Sequence, residues 1–142
     1  MKITKCQKNK IRKIAKKYGI KLMVAFGSFV TGILHDKSDI DIAVLPRNKF
    51  NYKKFFSLAA ELSEVFTDRE IDMSLINHAN PLLLYKICSN PVLLYGNNRI
   101  LNNLKIYSFN RYVDYHPYFL IEKKFVKNFI NGQMSGNKYA GR

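Results

Sequence analysis

Short apolar runs alternate with longer amphipathic stretches along most of the chain. Four runs have the length and the flanking turn residues of β-strands: residues 21–26, 39–45, 70–76 and 92–95. Three stretches carry apolar residues at helical spacing: residues 3–18, 52–66 and 81–89. Because strands and helices alternate, the pattern predicts an α/β or α+β domain.

The C-terminal part of the sequence predicts helix followed by a tail. A helix break is expected near Pro117, and the polar, Gly-containing end of the chain is typical of a flexible tail. No repeat or linker divides the chain, so we expect one domain. Its predicted parts are an N-terminal helix over residues 1–19, a core over 20–97, a helical segment over 98–131 and a tail over 132–142.

Two aspartates stand in the apolar run at 39–45. Side chains at i and i+2 of a strand share a face, so Asp39 and Asp41 project together, away from Ile40 and Ile42. Neighbouring carboxylates repel each other and lose hydration when buried. Mg²⁺ would relieve both costs, because it takes carboxylate oxygens and leaves positions for substrate phosphates. The pair predicts a metal site; the alternative is that Asp39 caps a turn in the sequence DKSD.

A third aspartate follows the same logic. Asp72 alternates with Ile71 and Met73 in the third predicted strand, so it faces away from them. If the second and third strands are neighbours, Asp72 completes a group of three carboxylates. Three carboxylates could hold two Mg²⁺ ions, or two could hold the metal while the third accepts a proton.

Gly27 and Ser28 follow the first predicted strand. A residue without Cβ allows close approach of a ligand, and a turn with free N–H groups and a hydroxyl can hold a phosphate. The alternative is an ordinary turn in which Ser28 begins a helix.

Charge and composition narrow the class of protein. The chain has 142 residues, 47% of them apolar, which is typical of one globular domain. Its 24 basic and 10 acidic residues favour anionic partners such as nucleotides or nucleic acid. The alternative is that abundant Lys, Asn and Ile reflect an A+T-rich coding sequence.

Cysteine use and hydropathy indicate a cytoplasmic protein. Cys6 and Cys88 form no metal or redox motif and are expected to be reduced. The basic N-terminus lacks the apolar core of a signal peptide, and no apolar stretch is long enough to span a bilayer.

The spacing of these residues carries a resemblance. Gly-Ser, ten residues and then Asp-Ile-Asp, over residues 27–41, resembles the signature of the polymerase-beta nucleotidyltransferase superfamily. More narrowly it resembles the minimal nucleotidyltransferases (MNT) that are paired with HEPN-domain toxins, and the likeness extends through Asp72 to the segment at 81–97. Gly32 fits the second glycine of the pattern, but Thr31 stands where many relatives have Arg; Lys37 is one candidate for the missing charge.

The resemblance implies a fold and an activity. The fold would be the nucleotidyltransferase fold, a small mixed sheet flanked by helices. ATP would be the substrate, with Mg²⁺, two ions in all, held by Asp39, Asp41 and Asp72 and with phosphates held by Gly27 and Ser28. In the MNT branch, AMP passes to a tyrosine of the HEPN toxin and silences it, which makes the enzyme the antitoxin of a type VII pair and part of a hetero-oligomer.

Other readings of the sequence stay open. The enzyme could modify a small molecule, as aminoglycoside-modifying relatives do, or an RNA end, and a non-catalytic nucleic-acid-binding module would also suit the basic charge. Arg111, His116 and Tyr118 match the R-x4-H-x-Y pattern of HEPN ribonucleases, but a HEPN bundle needs more chain than follows residue 97. We interpret this segment as an ordinary helix whose aromatic side chains pack on the sheet or on a partner.

Overall fold

The computed structural model describes residues 3–31 and 39–136, in which a four-stranded sheet carries helices on both faces. The strands are β1 (Ile20–Phe26), β2 (Ile40–Pro46), β3 (Ile71–Leu75) and β4 (Val92–Tyr95). The helices are α1 (Lys5–Lys17), α2 (Ser28–Thr31), α3 (Tyr52–Ser63), α4 (Pro81–Ser89) and α5 (Asn98–Gly136), with a 3₁₀ turn at Ile76–His78. The predicted fold class is confirmed.

The sheet is mixed, and its order decides where the aspartates meet. The strands lie in the order β3-β2-β1-β4. β1 is antiparallel to both of its neighbours, whereas β2 and β3 are parallel. The end of β1 therefore lies beside the starts of β2 and β3.

Each face of the sheet has its own apolar layer. Alternate residues of β1 and β2 pack on one face against α1 and α3, with Ile11, Leu58 and Leu62 fully buried there. The residues between them pack on the other face against α4 and α5, where Leu84 and Ile87 contribute. This period-two alternation leaves Asp41 on the face that α4 covers.

Local capping fixes two helix starts. Thr4 accepts a hydrogen bond from the Gln7 N–H, and the Gln7 side chain accepts one from the Thr4 N–H, which is a capping box. Asn80 accepts from the Leu83 N–H (2.8 Å), and Pro81 occupies the first turn of α4, where its missing N–H costs nothing.

Several predicted elements differ from the structure in their ends. β2 covers residues 40–46, one residue later at each end than predicted, and Pro46 is its last residue. α3 ends at Ser63, three residues early, because Val65 and Phe66 leave the helix and are buried in the α1/α3 layer. β3 covers residues 71–75 and gives way to the 3₁₀ turn.

The C-terminal helix differs most from the prediction. α5 is one helix of 39 residues that passes through Pro117 and reaches Gly136. The expected break near Pro117 was wrong: proline removes one backbone hydrogen bond, but at this exposed position the helix continues. The expected tail begins no earlier than residue 137, and residues 137–142 lie outside the described part.

Two simpler expectations can be compared with the structure. Cys6 is exposed and Cys88 is buried, and both thiols are free. Within residues 3–31 and 39–136, no helix is both long and apolar enough to cross a membrane.

Candidate active site

Two strands, β2 and β3, bring acidic side chains to one end of the sheet, beside the end of β1. Phe26, the last residue of β1, is the register partner of Asp41 in β2. Asp41 is in turn the register partner of Asp72 in β3. The Ile40 N–H donates to the Glu70 carbonyl (2.8 Å), which ties the start of β2 to the approach to β3. The second and third strands are thus neighbours, which was the condition for Asp72 to lie near Asp41.

The three carboxylates differ in exposure. Asp39 precedes β2 and is exposed, Asp41 is half-buried inside the strand, and Asp72 is exposed on the edge strand. Ile71 and Met73 pack into the α1/α3 layer, so Asp72 faces away from them, as predicted. Asp41 therefore bears the largest cost of burial among the three.

Gly27 is required for a reason that the sequence did not give. Its φ is +80°, in the region that favours glycine. A Cβ built there would lie 3.0 Å from Asp41 Cγ and closer still to Oδ2. The expected close approach is thus made by the Asp41 carboxylate, which Gly27 allows to lie directly over the turn after β1.

The turn after β1 leads into a very short helix. Ser28 is the first residue of α2 and is exposed. The Val30 N–H donates to the Gly27 carbonyl (3.2 Å) and closes this turn. Thr31 ends α2, whereas Gly32 and Lys37 lie outside the described residues.

Lys86 belongs to the site and was missed by the sequence reasoning, which treated it only as a break in an apolar run. It projects from α4, and its Nζ lies 5.9 Å from the centroid of the Phe26 ring, within cation–π range. Its charge also acts on the Asp41 carboxyl. The only sequence signal was one lysine on an otherwise apolar helix that packs on the sheet.

The surroundings of Asp41 disfavour the charged form of its carboxyl group. Burial raises the pKa of the Asp41 carboxyl above its ordinary value. The Lys86 ammonium lowers this pKa, while the carboxylates of Asp72 and Asp39 raise it further, and the net shift is upward. Asp41 therefore gains from any additional cation placed beside it.

The donor set fits a hard divalent cation in its chemistry. Every candidate ligand is a carboxylate oxygen, which Mg²⁺ prefers, and a cation beside Asp41 would offset the burial that raises the pKa of its carboxyl. Across residues 3–31 and 39–136, no three His, Cys, Asp or Glu side chains are grouped so that they could hold one ion together. The three-carboxylate ligand set accordingly stays a prediction.

The opposite end of the sheet has a basic groove. The groove has a volume of about 590 Å³, and none of its twelve lining residues is acidic. Five of them are cationic: Lys8, Arg12, Lys16, Lys21 and Arg47. Within the described part of the chain, none of the five forms an ion pair. The start of β1 and the end of β2 place this groove away from the carboxylates.

The R-x4-H-x-Y match does not assemble a site. Arg111, His116 and Tyr118 are all exposed on α5, and the His116 ring contacts Tyr112 instead (5.7 Å between centroids). Helical geometry turns His116 to a different side of α5 from Arg111 and Tyr118. The segment is helix, as we interpreted it.

Comparison with known families agrees with the geometry. The chain matches the family described as Polymerase beta, Nucleotidyltransferase over residues 9–100, which spans β1 to β4 and every site residue above. No curated protein matches the chain in sequence.

Solved structures show the same fold. A chain from a toxin–antitoxin structure with AMP-PNP is 22% identical, with a TM-score of 0.66 over 87% of this chain and 97% of that one. A chain from a complex of tri-AMPylated Shewanella oneidensis HEPN toxin with MNT antitoxin is 20% identical (TM-score 0.62; 88% and 96% covered). A spectinomycin adenyltransferase from Enterococcus faecialis, solved with ATP and spectinomycin, is 18% identical (TM-score 0.52; 71% and 59%).

Proposed function

Because the chain belongs to the polymerase beta nucleotidyltransferase family, we propose that it transfers AMP from ATP to a tyrosine hydroxyl of a HEPN-type toxin and acts as the antitoxin of that pair. One observation carries this proposal: β2 places Asp41 between Gly27 of the β1 turn and Asp72 of β3. The whole arrangement lies inside the matched residues.

Each residue of this end of the sheet has a role in the proposal. Asp39 and Asp41 would hold Mg²⁺, with Asp72 as a further ligand for a second ion. Bound there, Mg²⁺ would neutralise phosphate charge and polarise the α-phosphate. Gly27 and Ser28 would face the β- and γ-phosphates from the turn after β1. The Lys86 ammonium, which lies over Phe26 and acts on Asp41, would pair with a phosphate oxygen, a role for which Lys37 was one candidate from the sequence.

The reaction is an in-line displacement. The phenol oxygen forms a bond to the α-phosphorus, the bond from that phosphorus to the bridging oxygen breaks, and pyrophosphate leaves. The phenol proton passes to Asp72, whose exposed carboxylate can reach an acceptor that arrives from solvent. Asp41 is less suited to this role because it is half-buried behind the turn.

The similarity to chains from toxin–antitoxin structures supports a protein as the acceptor of AMP. The matches to chains from toxin–antitoxin structures extend over 96–97% of those chains, but over 59% of the spectinomycin enzyme. One of those structures contains an AMPylated HEPN toxin and another contains AMP-PNP. AMP on a tyrosine would add negative charge to the toxin beside its RNA-binding site.

The test is transfer of labelled AMP from ATP to a co-purified HEPN-type protein. Asp39→Asn and Asp41→Asn are each expected to abolish labelling while the domain stays folded in thermal melting. Glu64→Gln is the control, because Glu64 is exposed at the end of α3, which packs on the face of the sheet opposite to Asp41. Labelling by either site variant at the wild-type rate would refute the assignment of its carboxylate.

The basic groove supports a second candidate function, binding of single-stranded nucleic acid. Five cations without an acidic neighbour favour a polyanion, and Tyr95 offers a ring for stacking. Binding of labelled RNA that persists in EDTA, weakens steeply with salt and is lost in Arg12→Gln/Lys21→Gln would support it. RNA binding that needs Mg²⁺ and Asp41 would instead assign the RNA to the carboxylate end.

A further inference from the structure

The surface of α5 is unusually apolar. Eleven large apolar side chains of this helix are 49–69% exposed: Ile106, Tyr107, Phe109, Val113, Tyr118, Leu120, Ile121, Phe125, Val126, Phe129 and Ile130. At roughly 100 Å² each they form a surface on the order of 1,000 Å². The largest apolar patch of a typical monomer is about 300–600 Å². A surface of this size is typical of one that another molecule covers.

The first half of α5 is attached to the domain by its other side. Leu101 and Ser108 are buried against the α4 layer, and the Tyr112 ring stacks on Tyr85 with centroids 4.2 Å apart. Beyond Phe119 this attachment ends, and every residue from 120 to 132 is exposed. The second half of the helix therefore has no other part of the described chain to cover its apolar side chains.

Two stripes run along the exposed surface. The first, Ile106, Phe109, Val113 and Leu120, follows a heptad spacing that begins in the half of α5 that touches the domain and ends just beyond it. The second, Tyr118, Ile121, Phe125 and Phe129, has the i, i+3, i+7, i+11 spacing with which a helix is held in a groove. The Phe125 and Phe129 rings stack within this second stripe, 6.5 Å between centroids.

The charge of α5 selects among the molecules that could cover it. The helix carries six basic and two acidic side chains, and Lys123 and Lys127 continue the heptad line of the first stripe, with Lys124 beside it. A second copy would bring the same positive charges, in a chain of net charge +14, to the same contact. An acidic partner would neutralise them.

The placement of the stripes favours a protein over a membrane. At 100° per residue the two stripes lie about 130° apart around the helix axis. A flat bilayer takes one face of a helix that lies in its plane. A groove between helices can enclose a wider arc, with the aromatic side chains as anchors in separate pockets.

We propose that the exposed apolar surface of α5 is where the toxin-type partner docks, in an apolar groove with an acidic rim. The identification of the occupant as a HEPN-type toxin rests on the proposed function. The charge of α5 and the spacing of its apolar side chains come from the described residues alone. The surface lies on a different element from the carboxylates, so docking and AMP transfer can be separated by experiment.

The test compares two triple variants of the full chain, each co-expressed with the product of the adjacent open reading frame. Ile121→Ser/Phe125→Ser/Phe129→Ser removes three exposed anchors, and Asn102→Ser/Asn110→Ser/Asn128→Ser is a control on the same helix. Complex formation is measured without nucleotide, and ATP binding and thermal melting are measured on each chain alone. We expect the anchor variant to lose at least roughly 100-fold in affinity for the partner, with ATP binding and melting equal to those of the control.

The other outcomes are distinguishable. An anchor variant that binds the partner as the wild type does, or a wild-type chain that forms no complex, overturns the docking surface. A wild-type dimer in light scattering that the anchor variant converts to a monomer assigns the surface to a second copy instead. Flotation of the chain alone with phosphatidylserine vesicles, lost in the anchor variant, assigns it to a membrane. A complex that forms normally but transfers no AMP leaves the docking surface standing and refutes the proposed function.

Discussion

The two ends of the sheet carry opposite charge. Where β1 stops and β2 and β3 start, Asp41 and Asp72 are paired in register, with Asp39 just before β2. Where β1 starts and β2 stops, Lys21 and Arg47 meet three cations of α1 in a groove without acidic lining. One sheet thus has an acidic end and a basic end, which interact differently with a phosphate group.

This difference shows what net charge alone conceals. The overall value of +14 predicts attraction of anions, yet three of the ten acidic residues lie at one end of the sheet. A carboxylate cluster repels phosphate unless a cation is bound, whereas the basic groove attracts phosphate directly. Removal of divalent metal should therefore abolish phosphate binding at the carboxylate end and leave phosphate binding in the basic groove unchanged.

The largest expected effect is a loss of AMP transfer that distinguishes the role of Asp72 from that of Asp41. Asp72→Asn should lower AMP transfer by roughly 100- to 10,000-fold, because it removes the proton acceptor, but should keep Mg²⁺-dependent binding of AMP-PNP. Asp41→Asn should lose both. Transfer kinetics with labelled ATP and titration calorimetry with AMP-PNP measure the two quantities. Full transfer by Asp72→Asn would place this residue outside the site.

Gly27 and Gly19 make a matched pair, one at each end of β1. Both have positive φ, +80° and +64°, so Ala at either should cost about 1–2 kcal/mol of stability. Only at Gly27 would the new Cβ meet the Asp41 carboxylate, since nothing lies within 4 Å at Gly19. Urea unfolding should show a loss in both variants, larger in Gly27→Ala because its Cβ displaces the Asp41 carboxylate, while transfer falls on the order of 100-fold only in Gly27→Ala. Equal activity of the two variants would contradict the described contact.

Lys86 lies at the carboxylate end of the sheet and Lys21 in the basic groove, so one positive charge can be removed at each end separately. Lys86→Met should raise the KM for ATP roughly tenfold, because a charged partner of the phosphates is lost, and Lys86→Arg should restore much of it. Lys21→Met removes the same charge from the basic end and should leave the KM unchanged. Steady-state kinetics at fixed Mg²⁺ decide, and an equal rise in both lysine variants would mean that only net charge matters.

The smallest effect is a dependence of stability on pH. Burial raises the pKa of Asp41 in the folded protein, against the opposing effect of Lys86. Below the ordinary carboxyl pKa, Asp41 is protonated in both states and costs nothing. As pH rises from that value through the raised folded pKa, the unfolded chain loses its proton first, so stability falls and then levels off. Urea unfolding of the metal-free wild type and Asp41→Asn between about pH 3 and 7 should show Asp41→Asn becoming the more stable protein as pH rises. Parallel curves would contradict the described environment of Asp41.

Local pattern predicted much of the fold because local chemistry determines it. The limits of α4 and β4 were predicted to the residue, since Asn80 and Pro81 start α4 and Gly96 follows β4. The orientation of Asp41 and Asp72 followed from strand alternation alone.

The remaining features depend on contacts between distant segments. Lys86 reaches Phe26 only because α4 packs on β1, which no sequence spacing encodes. The need for Gly27 arises from a carboxylate on the next strand, and the early end of α3 comes from burial of Phe66. Pro117 misled the prediction because exposure of α5 lets the helix tolerate a lost hydrogen bond.

AMP transfer from the carboxylate end of the sheet to a partner protein can be measured directly. The measurement is the intact mass of both chains after co-expression with the product of the adjacent open reading frame. We expect the partner to gain the mass of one or more AMP units, and we expect no gain with Asp41→Asn. An unmodified partner, with AMP found instead on an aminoglycoside, on an RNA end or on Tyr118 of this chain, would contradict this expectation.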